Sequence, residues 1–367
     1  YPVLFKHFTN EIIPALIDVG GGSGTGALFM DDEQWPEKFN KVPMMADWGR
    51  SELYIHRVAP DGASFKQTEE KFIKLAQITD LDVDASGQLF MSAWDGAGYS
   101  GNPEKGFVVR AVPKNWKHKA FPDITDSSVN ELAELLKEKS ARIRLTAQQE
   151  LITRSSKKAS KAAWEIASNS NLSLDTRVAA IFAYAQINAE GSIDNLVQLS
   201  KDSAVKEFAL RALADRKTRL ENVPVAPFVE ALNNPSERVK TAAIIGLGRL
   251  GKTEVAKALL KTPMPSNAVV PEKGTEGPHA TPNASIIPAH LAVKSLVSLN
   301  AVEACVEAEN AQLSVATEHP ESSLIGADAG EVAGVGKNGV IITSSLDDAA
   351  NDFDVLIDLL SEVIETK

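Results

Sequence analysis

Ile143-Arg144-Leu145-Thr146-Ala147-Gln148-Gln149-Glu150-Leu151 is the stretch on which the reading of the fold turns. Its pattern returns as Arg177-x-x-Ala180-x-x-Ala183-Tyr184, as Val205-Lys206-x-x-Ala209-x-x-Ala212-Leu213 and as Val239-Lys240-x-x-Ala243-x-x-Gly246-Leu247. The basic positions lie 33, 29 and 34 residues apart. Residues three apart share a helix face, and small ones let a second helix come close. A period of this length suits stacked helix pairs, each burying the face of the next. The helical pattern starts near residue 126, where Ser127 and Ser128 precede Glu131-Leu132-Ala133-Glu134-Leu135-Leu136 as capping residues. A weaker copy, Ala292-x-x-Ser295-Leu296, follows an insertion at 261–288 that holds six prolines with Gly274 and Gly277. Such a stretch lacks backbone donors and reads as a surface loop.

Upstream of residue 120 the pattern is different. Four of the five tryptophans (35, 48, 94 and 116) lie there, among short β-type runs and turn residues. The runs are Gly26–Met30, Ser51–Val58 ending at Pro60-Asp61-Gly62, Phe72–Leu75, Ile78–Val83, Gln88–Ala93 and Phe107–Val112. Asp84-Ala85-Ser86-Gly87 reads as a hairpin loop between two of them. Strands at this spacing predict an all-β sheet, sandwich or propeller blade.

After residue 310 the repeat is lost. Residues 326–340 are rich in Gly and Ala, and the final stretch places Phe353, Leu356, Ile357, Leu360 and Ile364 on one helical face. The 367 residues carry a formal net charge of −11. Residues 346–367 alone hold seven carboxylates against Lys367, so much of the acidity sits in the tail. An acidic balance argues against a nucleic-acid partner bound through bulk charge. No apolar run reaches the 18 residues of a membrane span. One cysteine, Cys305, excludes an internal disulfide, a Cys-rich zinc site and c-type haem attachment. The chain opens on Tyr1-Pro2-Val3-Leu4-Phe5 with no signal peptide, which reads as the middle of a folded unit and suggests a piece of a longer protein.

Several clusters could carry chemistry. Gly20-Gly21-Gly22-Ser23-Gly24-Thr25-Gly26 is followed by a short strand and a turn instead of a helix, so it reads as a tight loop and not a dinucleotide fingerprint. Asp80, Asp82 and Asp84 alternate as the oxygen ligands of a hard cation would, yet no calcium-loop register places a Glu at its last position. The other reading is a strand with one polar face. Asp47-Trp48-Gly49-Arg50 could bind a polar ligand or form an Asp–Arg pair around an aromatic, and Trp94-Asp95-Gly96 is a similar cluster one unit on. His7 could act as a base only with a carboxylate brought to it by the fold. Residues 137–161 carry eight basic residues against Glu138 and Glu150, a solvated face or a dock for an acidic partner.

These motifs resemble a known family. Gly20–Gly26 with Ala27-Leu28-Phe29, Asp47–Glu52, Thr79–Gly87 and Trp94-Asp95-Gly96 through Lys114 are similar to the last part of a sugar (sorbosone/glucose) dehydrogenase-like β-propeller. Residues 126–305 resemble the HEAT repeats that follow it in exported bacterial propeller–HEAT proteins. The resemblance implies an α-plus-β multidomain chain: a partial β-propeller at 1–122, an α-helical HEAT-repeat solenoid at 123–310 and an atypical tail at 311–367. It implies a periplasmic or extracytoplasmic protein that oxidises a sugar or alcohol, with a quinone as cofactor and electrons passed to a c-type cytochrome carried elsewhere. His7 or Asp95 would then serve as base, with Asp47 and Arg50 orienting ligand or blade. Asp80, Asp82 and Asp84 would be the metal candidates. The alternative is a non-catalytic scaffold holding a protein or carbohydrate on the helical surface, and whether the chain is an enzyme stays open.

Overall fold

Among the described residues seven strands come first: β1 (Gly24–Met30), β2 (Val42–Asp47), β3 (Glu52–Asp61), β4 (Ser64–Lys74), β5 (Ile78–Val83), β6 (Leu89–Trp94) and β7 (Gly106–Ala111). The computed structural model describes residues 16, 22–96, 102–263, 285, 287–301, 304, 305, 308, 315–334 and 336–345. Strands β1 to β4 form a four-stranded antiparallel sheet in chain order, and β5 to β7 a three-stranded one. The alternation read at 78–83 and 88–93 does produce paired strands, joined by the turn at Asp84–Gly87. Two strands escape a pattern reading. β2 is a nearly unbroken apolar run with Pro43 inside it, and most of β4 is masked by Lys66, Gln67, Glu69, Glu70 and Lys71.

The two sheets share one apolar core of Met30, Trp35, Val42, Met44, Ala46, Leu53, Ile55, Ile78, Leu81, Leu89 and Met91. β1 lies on β5 closely enough for the Thr25 hydroxyl to donate to the Ile78 carbonyl at 2.8 Å. Gly26 makes that approach possible. A Cβ there would stand 2.6 Å from the backbone nitrogen of Leu81.

The helices follow: α1 (Val129–Leu135), α2 (Ala141–Arg154), α3 (Lys157–Ala167), α4 (Leu174–Asn188), α5 (Ile193–Leu199), α6 (Lys206–Leu213), α7 (Ala226–Ala231), α8 (Glu237–Leu250), α9 (Ala256–Leu259) and α10 (Ile287–Ser298). Ser128 caps α1 in a reciprocal box with Glu131, as its sequence suggests. The even-numbered helices pack side by side in chain order, and the odd-numbered ones back them. Ala147, Ala180, Ala209 and Ala243, the small residues of the recurring pattern, are all fully buried. At Gly246 the ring of Phe228 takes the room of a side chain, since a Cβ would come within 2.3 Å of it.

The expectation of a partial β-propeller followed by a HEAT solenoid is corrected here. Among the described residues the sheets have four, three and two strands and none closes on itself, whereas a propeller needs radial closure of its blades. The described helices run from 4 to 15 residues, so the period in the sequence marks one row's Ala positions and not a set of equal units.

The C-terminal part has its own arrangement. β8 (Ala316–Thr317) and β9 (Ile342–Thr343) pair in parallel, with α11 (Ala329–Val332) in the connection between them. Parallel strands require such a crossover. Most of the Pro-rich insertion and the amphipathic stretch after 345 lie outside the described residues. No helix among the described residues is long and apolar enough to cross a membrane.

Candidate functional site

Asp47 ends β2, and the chain turns back over it. Its Oδ1 accepts the backbone N–H of Ser23 at 3.1 Å and of Arg50 at 2.9 Å, while Arg50 Nε stands 3.8 Å from Oδ2. The carboxylate is buried and committed to holding the Gly-rich loop and its own turn. A hydrogen bond to the Tyr54 side chain raises the pKa of Arg50 above its ordinary value, and the charges of Asp47 and Glu69 add to this against a loss of solvent. The fold also joins the two aromatic clusters, for the rings of Trp48 and Trp94 meet edge to face at 6.4 Å. Asp95 is exposed just beyond, with its N–H on the Lys105 carbonyl. His7 lies outside the described residues. Asp47 and Arg50 thus come together as a structural pair beside two tryptophans.

The alternating aspartates are each engaged locally. Asp80 accepts the N–H of Leu81, and Asp82 accepts that of Val83 and pairs with Arg142 at 3.0 Å. Asp84 takes the N–H groups of Ser86 and Gln88 and both their side chains. Burial alone would raise the Asp84 pKa, but these donors outweigh it and lower it. Among the described residues no group of three or more His, Cys, Asp or Glu is placed to hold a metal ion.

Five of the eight basic residues at 137–161 are ion-paired, four of them with carboxylates outside the stretch. Arg142 reaches Asp82, Arg144 reaches Asp31, Arg154 pairs with Glu150, Lys137 with Glu134 and Lys161 with Glu165. An open groove of about 740 Å³ runs between α1 and α3. Of its acidic residues, Glu131 is spent on the helix cap, and Glu134 and Glu165 are two of those ion-paired carboxylates. That leaves the groove without a free convergent charge pattern among those three.

A second constellation was invisible to motif reading. Asp328 is 8% exposed and gathers four backbone N–H groups: Gly330 at 2.9 Å, Glu331 at 3.1 Å, Asn338 at 3.1 Å and Gly339 at 2.8 Å. Burial acts to raise its pKa, and the four donors overcome that and lower it. The loop from 326 to 342 is thereby tied into one knot, closed by Gly326 N–H to Ile342 O at 2.9 Å and Ile342 N–H to Ala327 O at 2.9 Å. Glu318 follows the carboxyl end of β8, its N–H on the Thr343 carbonyl at 2.9 Å. The only sequence signal was the density of glycines, of which Gly326, Gly334, Gly336 and Gly339 take positive φ.

Comparison with known proteins places this second constellation in context. The family described as dihydrodipicolinate reductase, N-terminus, matches residues 298–363. A 4-hydroxy-tetrahydrodipicolinate reductase from Saccharophagus degradans is 55% identical over 60 residues, 16% of this chain and 22% of that protein. The chain therefore spans about a fifth of the length of that curated relative. The match overturns the resemblance to a sugar dehydrogenase-like propeller–HEAT protein. With it fall the exported sugar or alcohol oxidation coupled to a cytochrome, and the alternative of a propeller–HEAT scaffold. The family that matches is a reductase family, and it falls largely on the tail that the earlier resemblance left without an account.

Proposed function

We propose that the segment matched at 298–363 takes the ribose end of a nicotinamide dinucleotide, and that the chain's chemistry is of the dihydrodipicolinate reductase kind. The observation that carries this is the 55% identity over 60 residues. The local structure supports it. In open α/β sheets ligands bind beyond the carboxyl ends of parallel strands, and an acidic residue there accepts the ribose hydroxyls. Glu318 occupies that position after β8, and it is half-buried. When bound, the dinucleotide would supply a hydride.

The fit is partial. The pyrophosphate of such a cofactor rests on a Gly-rich turn opening a helix. Residues 278–325 contain no glycine, and α10, just ahead of the match, opens on Ile287-Pro288-Ala289. The ribose end is accommodated by this chain's residues and the pyrophosphate end is not, so no hydride-transfer step is derived.

The test is a calorimetric titration of the full chain with NADH and NADPH, run beside the Saccharophagus reductase. Weak binding that drops at least about tenfold in Glu318→Ala, one decade being about 1.4 kcal/mol, is the expected result. Binding by the relative with none by this chain at millimolar cofactor would overturn the proposal, as would an unchanged affinity in Glu318→Ala.

A further inference from the structure

We propose that Asn338 is a latent deamidation site, and that the carboxylate of Asp328 is the restraint on it. Asn338-Gly339 is the one Asn-Gly pair in the chain. Such a pair needs no reagent but water, because glycine has no side chain to shield the nitrogen that attacks. Both residues are exposed, so solvent reaches them.

The covalent step joins atoms of adjacent residues. The Gly339 nitrogen gives its proton to solvent and attacks Asn338 Cγ. The new N–Cγ bond closes a succinimide ring. The Cγ–Nδ2 bond breaks, and Nδ2 leaves as ammonia with a proton returned from solvent. Water then opens one of the two ring carbonyls, giving aspartate or isoaspartate. Nothing is oxidised or reduced.

The electrophile is prepared for this. Asn338 Oδ1 accepts the N–H of Val340 at 3.0 Å and of Gly330 at 3.3 Å. Attack at Cγ puts negative charge on that oxygen, and donors aimed at developing charge lower the barrier. Gly330 makes room for the arrangement, since a Cβ there would stand 2.9 Å from Asn338 Cγ.

The nucleophile is held back. Gly339 N–H donates to Asp328 Oδ2 at 2.8 Å, while Oδ1 takes the N–H groups of Gly330, Glu331 and Asn338. Loss of the Gly339 proton would set an amide anion against a buried carboxylate at hydrogen-bond distance. Like charges so placed disfavour the deprotonated form. The donors on Asp328 lower its pKa, which keeps it ionised at neutral pH and a poor acceptor of that proton. Isoaspartate would add a main-chain carbon between residues 338 and 339, so their two N–H groups could no longer both reach Asp328. Deamidation is thus a one-way release of the loop between β8 and β9.

The full chain is incubated at mildly alkaline pH, folded and in urea, and conversion of Asn338 is followed by peptide mass spectrometry with fragmentation. Folded chain should convert at least about tenfold more slowly than unfolded chain. Asp328→Asn keeps an oxygen for Gly330, Glu331 and Asn338, and turns an uncharged amide toward Gly339. Folded, it should convert at least about tenfold faster than the unaltered protein, with amide protection lost at Gly339 and kept at Gly330 and Glu331. Equal rates in folded and unfolded chain overturn the proposal, as does an unaltered rate in Asp328→Asn. A rate that rises only as protection at Gly330 and Glu331 is lost also overturns it, since loop order and not the carboxylate would then be the restraint. The inference goes beyond the nucleotide reading and its readout involves no nucleotide, so the failure of one is distinguishable from the failure of the other.

Discussion

Arg144 on α2 donates to the carboxylate of Asp31 at the end of β1, with the two side chains only 13% and 8% exposed. The same guanidinium donates to the Glu138 carbonyl at 2.8 Å, and the Asp31 carbonyl takes the N–H of Ala141 at 2.9 Å. Nearby, Lys119 spans Glu33 at 2.9 Å and Glu138 at 3.1 Å. These bonds tie the sheets to the helices. Removing one member of a buried pair leaves the other charge unpaired and costs about 3 kcal/mol or more. Arg144→Ala should therefore lower the urea midpoint strongly, and adding Asp31→Ala should recover part of the loss. The exposed Lys119→Ala should cost less than about 1 kcal/mol. Equal effects of the two single variants would count against a buried latch.

The contact of β1 with β5 makes a sharp prediction at Gly26. A methyl group there overlaps the Leu81 nitrogen and the Leu81 side chain, at 2.6 and 2.7 Å. The side chain can turn aside, but the backbone nitrogen cannot move without shifting β5, and overpacking of this kind costs about 1–3 kcal/mol. Gly24→Ala, with nothing within 4 Å of the added carbon, is the matched control. Thermal melts should separate the two variants clearly, and a Gly26→Ala protein as stable as the control would show that the sheets do not approach as described.

His56 predicts a pH dependence. It is 2% exposed on β3, its Nδ1 lies 2.7 Å from Gln67 Nε2, and its Nε2 has no hydrogen-bond partner among the described residues. Burial lowers its pKa, against the charge of Glu69. The unfolded chain takes up this proton near pH 6.5, before the folded chain does, so stability is full above about pH 6.5 and falls as the pH drops toward the folded value. His290 is lowered for the same reason, with Lys294 adding to the effect. Urea midpoints at several pH values should show a smaller acid loss in His56→Leu and a smaller one still with His290→Leu added. An unaltered slope in the double variant would argue against both.

At the other end of the chain, Asp328→Ala removes the acceptor shared by four backbone N–H groups. Amide exchange should then lose protection at Gly330, Glu331, Asn338 and Gly339 while β2, β3 and β6 stay protected. Because the folded pKa of Asp328 is lowered, acidification through that pKa should produce the same local loss in the unaltered protein, with protection intact above the ordinary aspartate value near 3.9. Protection that persists at the four amides in the variant would mean that something else holds the loop.

Much of the local structure was legible from residue order. Alternation at Ile78–Val83 and Gln88–Ala93, the turn at Asp84–Gly87, the cap at Ser128 and the buried Ala positions of the helices all follow from short-range periodicity. β2 and β4 were not legible, because a proline in an apolar run and a string of charges each hide the two-residue period. The site was less legible still. Asp47 and Arg50 were picked out together, but that the carboxylate is spent on Ser23 and Arg50 backbone depends on where the loop at 22–24 folds back. The propeller–HEAT reading joined local patterns that are present into a closure that the sheets do not make.

Sequence alone determined β5, β6, the turn between them, the cap at Ser128 and the buried Ala positions of the helices, for these depend on neighbours a few residues apart. Only the tertiary structure decided that Arg144 meets Asp31 across 113 residues, that Trp48 meets Trp94, and that β1 lies on β5. It also turned the glycine-rich run after residue 325 into a loop knotted on Asp328. The physical reason is the same in each case. Burial and pairing between distant residues are set by which surfaces the chain brings together, and no short-range period records that choice.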